Sequence, residues 1–151
     1  MKKSTFAIIL FFGFSSTCLS SEFMNIYSNY INALSANDYE KIFSFYSPDR
    51  KKRTISNKGK VNALYPYRMG LEIINLKNHE SFIKGGYGYL KVYGENYRNK
   101  KPISKTIQFK KIGTWKIHCY YTAYNSKTAP TIENIRELLP FCFETQKEEN
   151  L

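Results

Sequence analysis

Few residues in this chain have chemistry to offer. Two histidines and three cysteines occur among 151 residues. His118 lies in the stretch GTWKIHCYY, between Ile117 and Cys119, and His79 lies in LKNHES. A histidine next to a cysteine invites a nucleophile-and-base reading. On a strand, however, neighbouring side chains point to opposite faces, so His118 and Cys119 would not meet. A general base also wants a closed pocket and an orienting partner, and the pattern around His118 suggests neither. The histidines, together with Cys119 and Cys142, do not fall at ligand spacing, so no metal and no cofactor is expected. GGYGYL is rich in glycine but alternates like a strand, rather than turning into a helix around a phosphate. No nucleophile elbow is present. Asp38, Asp49 and Glu72 are the acids open to proton transfer. Asp38 stands at a helix start and Asp49 in a turn, both ordinary structural posts for aspartate.

The compartment is written at the N-terminus. A basic start, MKK, precedes the apolar run TFAIILFFGF and the small residues SSTCLSS. That order is a secretory signal peptide, residues 1–20, cleaved after Ser20. A membrane span would need about 20 apolar residues, and this run stops short. A lipid-anchored alternative would begin at Cys18, although SST departs from the usual lipoprotein pattern. The expected location is periplasmic or secreted. There, Cys119 and Cys142 read as a disulfide, which would contribute about 3 kcal/mol by restricting the unfolded chain.

The formal net charge is +11, or +9 without Lys2 and Lys3. Such a charge suits nucleic acid, anionic lipid, cell-wall polymer or an acidic protein. The lysines are scattered, so keeping a tyrosine-rich surface soluble is the plainer reading. One cluster, Arg50, Lys51, Lys52 and Arg53, falls in the polar stretch DRKKRTISNKGK, expected as a loop. It could hold an anionic envelope surface in a salt-sensitive way.

The remaining elements must position these groups. Phe23, Ile26, Tyr27, Tyr30, Ile31 and Leu34 recur at helical spacing. A second helix starts at Asn37 as cap, with Glu40 three residues on. Tyr39, Ile42, Phe43 and Tyr46 form its stripe, and Pro48 marks its end. VNALYPYR suggests a third short helix. The period then changes to strands in MGLEIINL, GGYGYLKVY, ISKTIQFKK and TWKIHCYYTAY, with Gly85 and Gly86 suggesting a bulge. TAPTIENIRELLP reads as a last helix, with Ile132, Ile135, Leu138 and Leu139 on one side. Residues 144–151 form a polar tail expected to fray. The fold class is therefore α+β: one domain, 21–143, with N-terminal helices packed on a four-stranded antiparallel sheet and an extra C-terminal helix.

Register decides which way the chemistry points. A three-residue loop, Ile112–Gly113–Thr114, pairs Lys111 with Trp115, Phe109 with Ile117 and Ile107 with Cys119, so that apolar meets apolar. His118 then falls opposite Gln108 on the polar face, beside Lys110, Lys116, Thr106 and Tyr120. Gly88, Leu90 and Val92 share one face of their strand, and Tyr87, Tyr89, Lys91 and Tyr93 share the other. With the aliphatic face on the helices, Tyr87, Tyr89, Lys91, Tyr93, His118 and Tyr120 form an outward partner-binding surface, since tyrosine gives large contact area at small entropic cost. With the strand reversed, the tyrosines fill a concave interior and their hydroxyls line a cavity. Stacking on single-stranded nucleic acid would also use aromatics beside lysines, but export argues against it.

YINALSANDYEKIFSFYSPDRKK resembles the opening helix pair of nuclear-transport-factor-2-like domains, especially exported bacterial ones, and FKKIGTWKIHCYY resembles their closing hairpin. The resemblance covers roughly Glu22 to Tyr124. It implies a cone: a curved antiparallel sheet wrapped around helices, with a cavity at the wide end. Catalytic members such as ketosteroid isomerase and scytalone dehydratase place Asp, His or Tyr in that cavity. No such motif matches here residue by residue, so no catalytic residue is carried over. Many members are non-enzymatic and pair through the outer sheet face. Three functions are thus in view. The first is an exported protein-binding domain, a toxin-neutralising immunity protein or a homodimer among its forms. The second is a small-ligand carrier, or a lyase- or isomerase-like enzyme, using the cone. The third is a basic envelope-binding protein. If Cys119 faces the helices, its bond to Cys142 would draw the last helix across the cavity mouth.

Overall fold

The computed structural model describes residues 16–56, 73–96 and 98–143. The expected helix in VNALYPYR, the first fifteen residues of the expected signal peptide, Glu72 and the polar tail lie outside the described residues.

Helix α1 spans Ser16–Ser35 and buries Phe23, Tyr27, Tyr30, Ala33 and Leu34 along one stripe, with Ile26 and Ile31 partly buried beside it. Its end is set by Asn37, whose φ of 55° is left-handed. The Asp38 amide donates to Ala33 O and the Asn37 amide to Leu34 O, which together satisfy the last carbonyls. Asn37 therefore closes α1 instead of opening the next helix. The cap of α2, Tyr39–Ser44, is Asp38, whose carboxylate accepts from the Lys41 amide at 3.0 Å. Pro48 does not end a helix but begins one. Helix α3 spans Pro48–Ser56, where a loop was expected. Proline lacks the N–H that a first helical residue leaves unused, and its φ is already set.

The sheet is a meander in the order β1-β2-β3-β4, every neighbour antiparallel. Its strands are β1 (Ile73–Lys84), β2 (Tyr87–Asn96), β3 (Pro102–Ile112) and β4 (Thr114–Tyr124). β1 lies later than MGLEIINL suggested and absorbs LKNHES, so His79 is an exposed strand residue opposite Val92 rather than a loop residue. Gly85 and Gly86 form no bulge. Both have positive φ, 56° and 75°, and make a two-residue hairpin turn that follows the strand twist. Gly88 has a different task. A Cβ there would lie 2.2 Å from Phe23 Cζ, so its bare backbone lets Phe23 stack on Phe109 at 4.7 Å.

One sheet face is the main core. Leu90, Val92, Ile103, Ile107, Phe109, Trp115 and Ile117 pack there with the residues of α1 and α2. The other face is covered by the C-terminal segment. Helix α4, Ile132–Leu138, starts with a capping box between Thr131 and Asn134, and Pro140–Cys142 form a single 3₁₀ turn. Ile132 and Ile135 are buried, while Leu138 is exposed, so the expected four-residue stripe is only partly used. Ile132 meets Tyr87 and Tyr89, with Phe82 and Phe143 beside them. The last helix thus lies on the face opposite α1 and does not cross the cone's mouth. The layout is otherwise the α+β arrangement expected: helices, then a curled four-stranded antiparallel sheet, then a helix.

Candidate ligand-binding site

The expected tyrosine surface is not open. Tyr87 and Tyr89 do point away from α1, but they are buried under the C-terminal segment. Tyr89 stacks on Phe82 at 5.2 Å, and its hydroxyl accepts from Gln108 Nε2 at 3.2 Å. Lys91 pairs with Glu80, and both Lys91 and Tyr93 are half-buried. Sequence reasoning missed the cover because α4 is short and its apolar residues carry no mark of which face they seek.

The last two strands explain the rest. Lys111–Trp115 and Phe109–Ile117 pair as expected, and then the register slips. His118 is the extra residue of a β-bulge: Phe109 faces Ile117, but Gln108 faces Cys119. A slip of one residue exchanges the faces of everything after it. Cys119 therefore points to the C-terminal segment, where it bonds Cys142 across a Cα separation of 6.1 Å. The expected Ile107–Cys119 pair is replaced by Ile107–Tyr120, and Tyr120 turns to the helix side. Alternation alone could not show this, because CYYTAY reads equally well in either phase.

His118 is sealed, not outward. Tyr46 bridges to Ile117 and extends the sheet edge, which brings Ser47 alongside. Ser47 Oγ and His118 Nδ1 are 2.8 Å apart. The ring of Tyr87 stacks over the imidazole at 6.0 Å. Nε2 is buried without a hydrogen-bond partner. Burial first, then the positive charge of Arg53, pushes the imidazole pKa down to about 4. His118 is thus a neutral packing residue at ordinary pH.

The basic patch divides. Lys51 and Lys52 are exposed on α3, whereas Arg50 and Arg53, one turn apart, reach into the fold. Arg53 Nη2 donates to His118 O at 3.0 Å, and its guanidinium lies 5.1 Å from the Phe141 ring. Arg50 takes the helix side. Its guanidinium carbon lies 4.4 Å from the Tyr46 ring centre and 4.3 Å from that of Tyr120. Lys105 Nζ lies over Tyr120 too, at 4.7 Å, and this lysine is only 1 % exposed. Tyr46 and Tyr30 join hydroxyl to hydroxyl at 3.2 Å. Three phenols and two cations therefore gather at one end of a face that is otherwise apolar. Of the residues expected in a site, only Tyr120 and Arg50 belong to this group. Lys105, Tyr46 and Tyr30 were read as strand and helix residues alone. Among the described residues, no three His, Cys, Asp or Glu side chains converge as a metal site would require.

No protein-family model and no curated protein matches the chain. Among solved structures, it is similar to a crystal structure of a candidate dehydratase of the NTF2-like family from Streptomyces avermitilis. The identity is 10%, the match covers 78% of this chain and 99% of that one, and the TM-score is 0.48. At that distance no residue role is transferred.

Proposed function

We propose that this chain is a small-molecule-binding domain, with its site at the cluster of Tyr30, Tyr46, Arg50, Lys105 and Tyr120. The observation that carries the reading is the bulge at His118, which turns Tyr120 into the helix-side face beside Arg50 and Lys105. Three phenols and two cations at one end of an otherwise apolar face are more polar side chains than core packing by itself requires. Phenol hydroxyls and cations next to an apolar wall are instead the usual lining of a ligand site.

A partner-binding role, including toxin neutralisation, has less support. Docking on Tyr87 and Tyr89 would require the disulfide-tied C-terminal segment to leave. Export remains part of the proposal. The disulfide suits an oxidising compartment, and no helix among the described residues is long and apolar enough to cross a membrane.

The test is a fragment screen by two-dimensional NMR on the mature protein. Fragments that bind should shift the amides of Tyr46, Lys105 and Tyr120 and leave those of Tyr89 and Ile132 in place. A screen that yields no hits, or hits confined to the C-terminal side of the sheet, would remove the proposal.

A further inference from the structure

We infer that a cavity at the turn between β2 and β3 binds a phosphate monoester, with Arg98 and Lys101 holding the phosphate. The cavity measures about 300 Å³ and shares no residue with the cluster proposed above. Its frame is the turn itself. Asn96 Oδ1 accepts from the amides of Arg98 at 2.8 Å and Asn99 at 3.4 Å, and Asn99 Oδ1 accepts from the Lys101 amide at 3.0 Å. The Asn96 amide donates to Lys101 O at 2.9 Å and closes the turn. Arg98, Asn99 and Lys101 are thus held in place without a ligand, which spares part of the ordering cost of binding. The same bonds occupy the side-chain oxygens, so each asparagine keeps its Nδ2 group to donate.

The lining is therefore rich in donors and in positive charge. Arg98 and Lys101 are exposed, and among the described residues neither pairs with a carboxylate. No acidic residue lines the cavity, so its two cations stand unopposed there. A phosphate monoester carries about −1.5 to −2 near neutral pH and offers three strong acceptor oxygens. A carboxylate would leave one of the two cations unanswered. A guanidinium fork beside an ammonium suits phosphate oxygens. An inorganic phosphate would occupy only a fraction of the space. The rest of the wall is Pro102, Ile103 and the half-exposed Tyr124, an apolar surface for the organic group. A second cavity, of about 320 Å³, shares Pro102 and Ile103 with the first. It suits an anion less, because Glu95 lines it and pairs with Lys77 at 2.5 Å.

The experiment titrates phenyl phosphate, phenol and inorganic phosphate into the mature protein at low salt, by calorimetry and two-dimensional NMR. Phenyl phosphate should bind at least about tenfold more tightly than either of the others and weaken as salt rises. It should shift the amides of Asn99, Lys101 and Asn125 and leave those of Tyr46 and Tyr120 in place. The double variant Arg98→Gln, Lys101→Gln should lose that binding and keep the wild-type thermal midpoint, since both side chains are exposed. Lys52→Gln, which removes an exposed cation on α3, should leave binding unchanged. Vesicles containing phosphatidate give the source of the ester. Capture of wild type but not of the double variant would assign a lipid-borne ester, and phenyl phosphate binding without capture a soluble one. An equal loss in Lys52→Gln would reduce the effect to diffuse charge and overturn the site. Phenol binding as tightly as phenyl phosphate would overturn the phosphate, and inorganic phosphate doing so would overturn the monoester. Shifts confined to Tyr46 and Tyr120, or no binding of phenyl phosphate at all, would sink this inference and leave the cluster around Tyr120 to its own fragment screen, which reads different amides.

Discussion

The two faces of one sheet are buried by different means. On the helix side, Leu90, Val92, Ile103, Ile107 and Phe109 pack in bulk against α1 and α2. On the other side, a seven-residue helix and a short turn are held by specific bonds. Thr106 Oγ1 donates to Pro130 O and Ser104 Oγ to Thr128 O, each at 2.7 Å, and one disulfide closes the segment. The bulk-packed face tolerates a polar cluster at one end, because its aliphatic residues supply the stability. The bonded face leaves Tyr87 Oη, Gln108 Oε1 and His118 Nε2 buried without hydrogen-bond partners, which costs free energy at each group. The C-terminal side should therefore be the weaker attachment, and the comparison can be tested strand by strand.

Ile107 and Thr106 are neighbours on β3 that face opposite ways. Ile107→Ala should destabilise the whole fold by about 2–5 kcal/mol, through lost burial and the cavity left behind. Urea unfolding measures it, and a value below that of the Thr106 variant described last would reverse the ranking of the faces. Cys142→Ala should cost about 3 kcal/mol, since it opens a closed loop with a sequence separation of 23. Hydrogen exchange should then rise first at α4 and at Tyr87–Tyr89, while the amides around Phe23 and Trp115 stay protected. Simultaneous loss of protection on both sides would mean that the sheet does not separate them.

The His118 prediction concerns pH. Its folded-state pKa, near 4, is below the ordinary 6.5, so between those values the unfolded chain binds the proton more readily. Stability is therefore full above about pH 6.5 and falls as the pH drops through about 4, by up to about 3 kcal/mol. His118→Gln should flatten that slope between pH 6.5 and 4, and an unchanged slope would assign it to another group. The smallest effect is expected from Thr106→Val, about 1 kcal/mol for one lost bond to Pro130 O together with the acceptor left behind. Denaturant midpoints for wild type and variant give the value.

Much of the fold is legible in the sequence, because burial writes its period into the chain. The stripe from Phe23 to Leu34 announced α1, and the alternation of Gly88, Leu90 and Val92 with Tyr87, Tyr89 and Tyr93 announced β2 and its two faces. The hairpin loop at Gly113 followed from matching apolar partners across it. Local signals misled where one residue serves two roles. Pro48 can stop a helix or start one, and Gly85–Gly86 can mark a bulge or a turn. The candidate site was barely legible. Its members come from α1, the bridge residue between α2 and α3, α3 itself, β3 and β4, and no spacing along the chain brings Tyr30, Arg50 and Lys105 together.

Taken alone, the sequence determined the class of fold, its run of helices, then four strands, then a helix, and the pairing of Cys119 with Cys142, since periodicity and cysteine count are local or arithmetic properties. Only the tertiary structure decided which surfaces are open. The bulge at His118 slips the register by one residue, and because side chains on a strand alternate with a period of two, that slip sends Cys119 outward to Cys142 and Tyr120 inward to Arg50. The cover over Tyr87 and Tyr89 likewise depends on where α4 packs, which is set by contacts between residues far apart in the chain.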